Sequence, residues 1–494
     1  MNNNVQEKIK IHDRYQFEIK YTYPLNKELP ETDYMVETFI FIPNNLGINA
    51  DTYTKQNFYS DLQKYIRFKT PVFLLSSIIK EKGPLDRLKA EMTALIEDPS
   101  NPETGKNYLY QLKMLCSILK SALRDEEDYI ETSQETADRC MLIGQLLENI
   151  SRLTGGFRKL HAIIQVPHLD QKQAVFYHFC DEYISLMVEK SLFKLLESIK
   201  RKDASQNHEL CARILDVIKS EIKYRTDNNY PSLVKENSSN EEIIYRMRTL
   251  KKIVGSILFL KTLTQTEGRL IEQILMGMAA GLSMAFATGM LFLSRRIFAD
   301  LTLSLFLILV ISYIFKDRLK ELSKIYMLGY LKKYIYDYKT VLMTNLTKIG
   351  FCRETFTFLK EKNLPAEIAK IRNKDYFTEL DNGYIGENVI YSKKYIKIYS
   401  SNCRKIYADF QVDGIHDIIR FNVRHFLDKM DNAEIPLFMP DGTCSFKMVP
   451  GSCLYHLNII LKYGMGNQHE YHKFRLVLNR DGIKRIVEIP CSII

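Results

Sequence analysis

The side chains best suited to metal chemistry lie near the C-terminus. His469 and His472, in the sequence HEYH, combine with Cys444, Cys453 and His456 to offer the nitrogen and sulfur donors that zinc prefers. Their spacing matches no established zinc pattern. Two histidines three residues apart on a strand also point to opposite faces. These residues are therefore interpreted as loop and strand-edge positions, and no metal site is predicted.

A second group of reactive residues is His178, Cys180 and Asp181, in the sequence HFCDE. Cys/His nucleophile pairs are assembled from distant segments, whereas neighbours on one helix point in different directions. The stretch 464–466 (GMG) lacks the third glycine and the lysine of phosphate-binding loops. The sequence contains no GxxxxGK[ST], HExxH or GxSxG motif. No catalytic residue and no cofactor can be named, and whether the chain is an enzyme stays open.

The most distinctive feature is a pair of apolar runs at residues 270–293 and 297–315. Residues 274–293 carry no charge, and the second run has a single acid, Asp300. A transmembrane helix needs about 20 apolar residues. The short polar turn Ser294-Arg295-Arg296 would make the two runs antiparallel. The fold class predicted is a membrane protein with a two-helix transmembrane hairpin over 270–315, and the alternative is a buried hairpin in a soluble helical domain.

The first apolar run contains four small residues spaced four apart: Gly277, Gly281, Ala285 and Gly289. Small residues at this spacing let helix backbones approach closely, which favours helix association in lipid. Two interpretations remain open. The stripe could pack against the second run of the same hairpin, or it could form a homo-oligomer interface.

The charge pattern favours a membrane over a nucleic acid. The chain has a net charge of +10, which suggests an anionic partner. Its basic residues flank the apolar runs, as expected of membrane topology, so a lipid bilayer is the expected partner and nucleic acid is disfavoured. The flanking residues selected are Lys251, Lys252, Arg269, Lys316, Arg318 and Lys320.

The orientation in the membrane is predicted from the same flanking charges, from the N-terminal sequence and from the cysteine pattern. The N-terminus lacks the apolar segment of a signal peptide. The nine cysteines are scattered and odd in number, which is typical of reduced thiols rather than a disulfide framework. The sequence therefore predicts a protein integral to the cell (inner) membrane, with both termini cytoplasmic.

Hydrophobic periodicity divides the rest of the chain. Strict alternation over residues 15–23, with a further run at 34–42, predicts strands in an N-terminal α/β segment, 1–83. Apolar stripes at helical spacing predict a helical cytoplasmic domain over 84–268. The stripe residues are Leu109, Leu112, Cys116, Leu119 and Leu123, then Ile143, Leu146, Ile150 and Leu153, then Val188, Leu192, Leu195 and Ile199.

The segments after the hairpin change character near residue 385. Residues 316–375 are predicted to be a juxtamembrane helical region, with one helix running through 342. Residues 376–494 are predicted to be a separate, strand-rich α+β domain, because short alternating runs are punctuated by Asp-Gly pairs at 441–442 and 481–482. Residues 405–412 are predicted as a strand and 415–430 as a helix.

The function that these features favour is a membrane-anchored interaction or scaffold protein with cytoplasmic domains. One alternative is a membrane-anchored enzyme of unknown reaction. Another is a subunit of an oligomeric transport or channel assembly, although neither apolar run carries the central ionisable residue that transport pathways use.

Overall fold

The structure, a computed structural model, describes the chain with short gaps. The described residues are 5–26, 28–133, 135–165, 171–202, 208–297, 303–331, 335–344, 347–372, 386–406, 409–465 and 468–491.

Fourteen strands lie in the described residues. They are β1 (Gln6–Ile11), β2 (Gln16–Pro24), β3 (Thr32–Pro43), β4 (Leu62–Phe68), β5 (Lys261–Thr266), β6 (Tyr338–Thr344), β7 (Thr347–Leu359), β8 (Glu387–Ile398), β9 (Gly414–Asn422), β10 (Glu434–Pro440), β11 (Phe446–Ser452), β12 (Tyr455–Met465), β13 (Gln468–Asn479) and β14 (Gly482–Ile489).

The helices of the described residues range from one turn to more than thirty residues. They are α1 (Lys55–Asp61), α2 (Leu75–Ile78), α3 (Pro84–Glu97), α4 (Pro102–Thr132), α5 (Thr136–Lys159), α6 (His161–Ile164), α7 (Gln171–Lys202), α8 (His208–Asp227), α9 (Glu241–Gly255), α10 (Arg269–Ile297), α11 (Leu303–Leu331), α12 (Ala366–Arg372), α13 (Ser400–Ile406) and α14 (Arg424–Leu427).

The chain forms two compact units. The strand-rich unit comprises Met1–Arg67, Leu260–Asp409 and Asp413–Ile494. The helical unit comprises Phe68–Phe259 together with the short stretch Phe410–Val412. The chain thus leaves the strand-rich unit after β4 and re-enters it at β5.

Two large sheets dominate the strand-rich unit. One has the order β1-β2-β9-β4, and the other has the order β14-β13-β12-β3-β8-β7-β6-β5. Strand β3 lies between β12 and β8, and β2 pairs with β9. Strands β2 and β3 therefore sit inside these sheets and pair with strands from the C-terminal third of the chain.

The alternating pattern of residues 15–23 does form a strand, so this prediction is confirmed. Phe17, Ile19, Tyr21 and Tyr23 of β2 are all buried. The ring of Tyr23 lies 5.3 Å from that of Tyr34 on β3, which belongs to the other sheet. Aromatic side chains therefore fill the space where the faces of the two sheets pack.

The helical unit buries the three predicted stripes, apart from the half-buried Leu109. Its central helix, α7, also carries the buried Glu182 and the half-buried Glu189, which pair with arginines of neighbouring helices. Glu182 accepts from Arg246 of α9 at 2.6 Å, and Glu189 pairs with Arg225 of α8. Breaking such a buried pair leaves an uncompensated charge, so these pairs fix the helices in one arrangement.

The predicted two-helix transmembrane hairpin is wrong. Within the described parts of the chain a single helix, Ile271–Ile297, is long and apolar enough to cross a bilayer. Helix α11 is described from Leu303 and has only 13 uncharged residues, two of them serines, before Lys316. At about 1.5 Å per residue these span roughly 20 Å, short of a hydrocarbon core of about 30 Å. The remainder of the predicted second run, 298–302, lies outside the described residues.

Three further predictions are corrected by the structure. Residues 415–430 form β9 and the short α14 rather than one helix. Strands β6 and β7 occupy 338–359, where the sequence predicts a helical region. The strand predicted at 405–412 is wrong at its start, because α13 continues to Ile406. Residues 407–408 and 376–385 lie outside the described part of the chain.

Candidate functional site

Helices α10 and α11 of the strand-rich unit lie between β5 and β6 in the sequence, at one edge of the eight-stranded sheet. Strand β5 leads into α10, and α11 leads towards β6. The two strands pair directly, with Thr266 opposite Tyr338. Helices α10 and α11 also contact each other. We call this pair of helices the apolar arm.

The apolar arm buries little of its own surface. Leu275, Ala279, Ser283 and Ser294 are the buried residues of α10. Only 17% of the most apolar stretch of α10 is buried within the chain. Large apolar side chains elsewhere on both helices are exposed: Ile274, Met278, Leu282, Met284, Phe292, Leu293, Leu303, Phe306, Ile311, Ile314 and Phe315 are among them. A helix from the core of a soluble protein would bury such side chains instead.

The four small residues of the predicted stripe lie off the buried face of α10. Gly277, Gly281 and Ala285 are exposed, and Gly289 is half-buried. A Cβ added at any of the three glycines would meet no described atom within 4 Å beyond the helix's own turn. The groove that they form is therefore not filled by any of the described residues.

The predicted basic flank is split between the two units. Lys251 and Lys252 are exposed on α9 of the helical unit. Arg269 begins α10. Lys316, Arg318 and Lys320 lie within α11, because this helix continues beyond residue 315. The ammonium of Lys316 sits 4.0 Å from the ring centre of Tyr313.

A cleft opens beside the root of the apolar arm, between edge strand β4 of one sheet and strands β5–β8 of the other. Its volume is about 280 Å³. The lining combines hydroxyl, charged and apolar groups, contributed by Tyr59, Leu62, Lys64, Ile66, Thr262, Thr264, Tyr338, Thr340, Cys352, Glu354 and Lys394.

A buried network of charges forms the floor of the cleft. Lys394 Nζ lies 2.5 Å from Asp417 Oδ2 and 3.1 Å from Glu354 Oε1. Lys64 forms a second ion pair with Glu354. The hydroxyl of Tyr23 donates to Asp417 at 3.2 Å. The network joins β7 and β8 of the eight-stranded sheet to β4 and β9 of the four-stranded sheet.

The charges in this network hold one another ionised. Burial alone would raise the pKa of Glu354, but Lys394 and Lys64 outweigh it and hold the pKa at about 2. Burial alone would lower the pKa of Lys394, but Asp417 and Glu354 raise it well above its usual range. Burial raises the pKa of the Cys352 thiol to about 11, so this cysteine stays protonated and is a poor nucleophile.

The chemistry of the cleft suits a small neutral polar group. Lys64, Lys394 and Glu354 line the cleft, and Asp417 behind them completes a network with no net charge. Together with the threonine hydroxyls of β5 and β6, they can donate to and accept from a ligand that has both kinds of group. The rings of Tyr59 and Tyr338, 4.6 Å apart, supply an apolar wall.

No single stretch of the sequence predicts this cleft, although two of its strands each hold a signal. Lys394 falls in the same alternating phase as the buried Ile396 and Ile398. Glu354 likewise falls in phase with the buried Cys352 and Phe356. A charged residue in the buried phase of a strand needs a partner. The identity of that partner depends on sheet pairing, which no local pattern shows.

The residues weighed for metal and nucleophile chemistry have other partners. His472 Nδ1 lies 2.8 Å from Glu7 Oε1. Asp181 accepts from the hydroxyls of Tyr224 and Tyr230, both at 2.7 Å. His178 Nδ1 lies 3.3 Å from the same Tyr230 hydroxyl. Across the described ranges, no cluster of three or more His, Cys, Asp or Glu residues could hold a metal ion.

Comparison with known proteins gives no relative. No family model, no curated protein and no solved structure matches the chain. The function must therefore be argued from the geometry of the molecule itself.

Proposed function

We propose that this chain is a membrane-attached interaction protein, in which α10 enters a lipid bilayer and holds the strand-rich unit at the membrane surface. One observation carries this proposal: the helix segment Ile271–Ile297 is 27 residues long, and only 17% of its most apolar stretch is buried. Removing each exposed Leu, Ile or Phe side chain from water is worth about 1.5–3 kcal/mol. Lipid is the solvent that covers such a surface on all sides.

The pairing of β5 with β6 supports placing the segments before and after the apolar arm on the same face of the membrane. Strands β5 and β6 are direct neighbours, so the chain returns to the sheet edge that it left. Segments before and after the arm would then lie on one face of the bilayer. We propose that this is the cytoplasmic face of the cell membrane. Lys316, Arg318 and Lys320 lie at the middle of α11 and on its side towards the sheet.

The test places charge on the exposed surface of α10 in the full chain. Leu282→Lys combined with Phe292→Lys changes two side chains that are 56% and 71% exposed, so folding should not suffer. Lysine at the centre of an inserted helix costs about 2.5–3.5 kcal/mol, or roughly 100-fold in partition per site. Flotation with phosphatidylcholine vesicles should recover the wild-type chain with the vesicles and leave the double variant behind.

The matched control is Val234→Lys combined with Ile244→Lys. These side chains are 76% and 49% exposed but lie in the helical unit. The control should float like the wild-type chain. Equal flotation of the α10 variant and the wild type would refute attachment through α10, as would a wild-type chain that stays with the soluble fraction.

A further inference from the structure

The strand-rich unit carries a second exposed apolar element, the hairpin formed by β10 and β11. The two strands form a separate two-stranded sheet. Every residue of β10 is exposed. The base is held by the backbone bond from Cys453 N to Ala433 O at 3.0 Å. Six large apolar side chains are between 49% and 70% exposed: Ile435, Leu437, Phe438, Met439, Phe446 and Met448.

Both faces of this hairpin are apolar. Register partners share a face, so Leu437 and Val449 lie on one side, and Phe438 and Met448 lie on the other. The rings of Phe438 and Phe446 contact edge to face, 5.5 Å apart. One docked protein surface covers one face of such a ribbon, whereas an apolar medium contacts both.

The prolines of the hairpin make it a poor template for strand addition. Pro436 and Pro450 are register partners, and neither has an N–H. The two residues therefore cannot exchange backbone hydrogen bonds. Their backbone groups point outward, away from the other strand of the hairpin. Pro440 falls in the same phase. Missing outward donors block pairing with another chain, and they leave fewer polar groups to desolvate in an apolar environment.

The hairpin and the apolar arm emerge from the same end of the eight-stranded sheet. Thr266, the last residue of β5, pairs with Tyr338, and Tyr338 pairs with Glu354 of β7. Strand β7 continues past Glu354 and ends at Leu359, which pairs near the start of β8. Strand β12 begins at this same end of the sheet, because both β8 and β12 run antiparallel to β3. Strand β12 begins at Tyr455, directly after the hairpin. The registers place Tyr463 of β12 level with the root of the arm, so the hairpin leaves in the same strand direction but eight residues, or roughly 26 Å, further along the strands. Sheet twist also turns β12 relative to β5 across the five strand steps between them.

We propose that hairpin 434–452 inserts its apolar side chains into the boundary between headgroups and acyl chains of the bilayer that holds α10. This inference rests on the proposed function. The insertion is shallow, because open strand edges are not tolerated in the hydrocarbon core. The turn at 441–445, which includes Asp441, is polar and keeps to the headgroups. The hairpin thereby gives the strand-rich unit a second point of contact and a fixed tilt on the membrane.

The absence of tryptophan from the sequence makes a direct test possible. Phe438→Trp places a single fluorophore on the hairpin, Met284→Trp places one on α10, and Tyr245→Trp places one on the helical unit. All three parent side chains are at least 60% exposed. Each full-length variant is incorporated into phosphatidylcholine vesicles. Its emission is then measured with lipids brominated near the headgroup end of the acyl chain, or with iodide in the water.

The expected result for the Phe438→Trp variant is a shift of its emission to shorter wavelength, with quenching by the brominated lipids and protection from iodide. Position 284 should also be protected from iodide, but these lipids should quench it less than position 438, because it lies near the middle of α10. Position 245 should respond to iodide alone. Lipid quenching at 284 combined with iodide quenching at 438 would overturn the hairpin inference and leave the proposed function standing. Protection of 438 from both quenchers would also overturn it, because a second copy or another protein would then cover the hairpin. Iodide quenching at both 284 and 438 would refute both proposals.

Discussion

Replacement of Glu354 by glutamine tests whether the buried charge network holds the two sheets together. Glutamine keeps the shape of the side chain but removes its charge. Lys64 then loses its carboxylate partner, and the buried Lys394 keeps only Asp417. We expect Glu354→Gln to destabilise the strand-rich unit at neutral pH.

The size of the loss follows from the pKa of Glu354. This pKa falls from the usual 4.5 to about 2 in the folded chain. A tenfold change in proton affinity is worth about 1.4 kcal/mol, so ionised Glu354 contributes roughly 3 kcal/mol. The pKa is depressed, so this contribution is present at neutral pH and is lost as pH falls from about 5 towards 2. Removal of one partner from a buried ion pair costs about 3–5 kcal/mol, which agrees in scale.

The assay is hydrogen exchange of the β7 and β8 amides, followed by mass spectrometry of the full chain in lipid. The wild type should lose protection in these strands as pH falls through that range, after correction for the intrinsic exchange rate. Glu354→Gln should start from lower protection and show a flatter pH dependence. Glu434→Gln, at an exposed position, is the matched control and should behave like the wild type. Equal protection of Glu354→Gln and the wild type at neutral pH would refute the stabilising role of the network.

Four further outcomes follow from the structure. Gly281→Leu should leave the melting temperature of the monomer unchanged, because no described atom outside the helix's own turn lies within 4 Å of an added Cβ. Reduced cross-linking in membranes would show that a second copy fills the groove, and a large fall in melting temperature would contradict the geometry. A fragment starting at residue 376 should not fold alone in a circular-dichroism melt, because it lacks β2 and β3; cooperative unfolding would contradict this. Reporters fused to the two termini should score on the same side of the membrane, and opposite scores would contradict the return of the chain to one sheet edge. Cys444, the exposed thiol, should be alkylated before the buried cysteines in the native chain, and all nine should react without reductant after denaturation.

Local sequence patterns correctly predict the strands and helices that bury only one of their faces. The alternation of residues 15–23 matches a strand because β2 buries aromatic side chains on its inner face. The stripe Leu112, Cys116, Leu119 and Leu123 matches a helix for the same reason. In both cases the period of the apolar residues is set by the element itself.

The elements that local patterns missed depend on contacts between distant segments. Residues 414–422 show apolar spacing compatible with a helix, yet they form β9 because they pair along β2, some 400 residues earlier in the chain. The partner of Lys394 could not be named for the same reason, since Asp417 reaches it from the other sheet. The two apolar runs predict two spans, but α11 is described from Leu303 and has only 13 uncharged residues before Lys316, which are too few to cross a bilayer.

The depth of Met284→Trp in phosphatidylcholine vesicles tests attachment through α10 most directly. The parent side chain is 60% exposed near the middle of the apolar stretch, and the substituted residue is the sole tryptophan of the chain. We predict quenching by lipids brominated deep in the acyl chain and no quenching by iodide. Quenching by iodide with no effect of brominated lipid, in chains that float with the vesicles, would show that α10 stays in water and would contradict the proposed function.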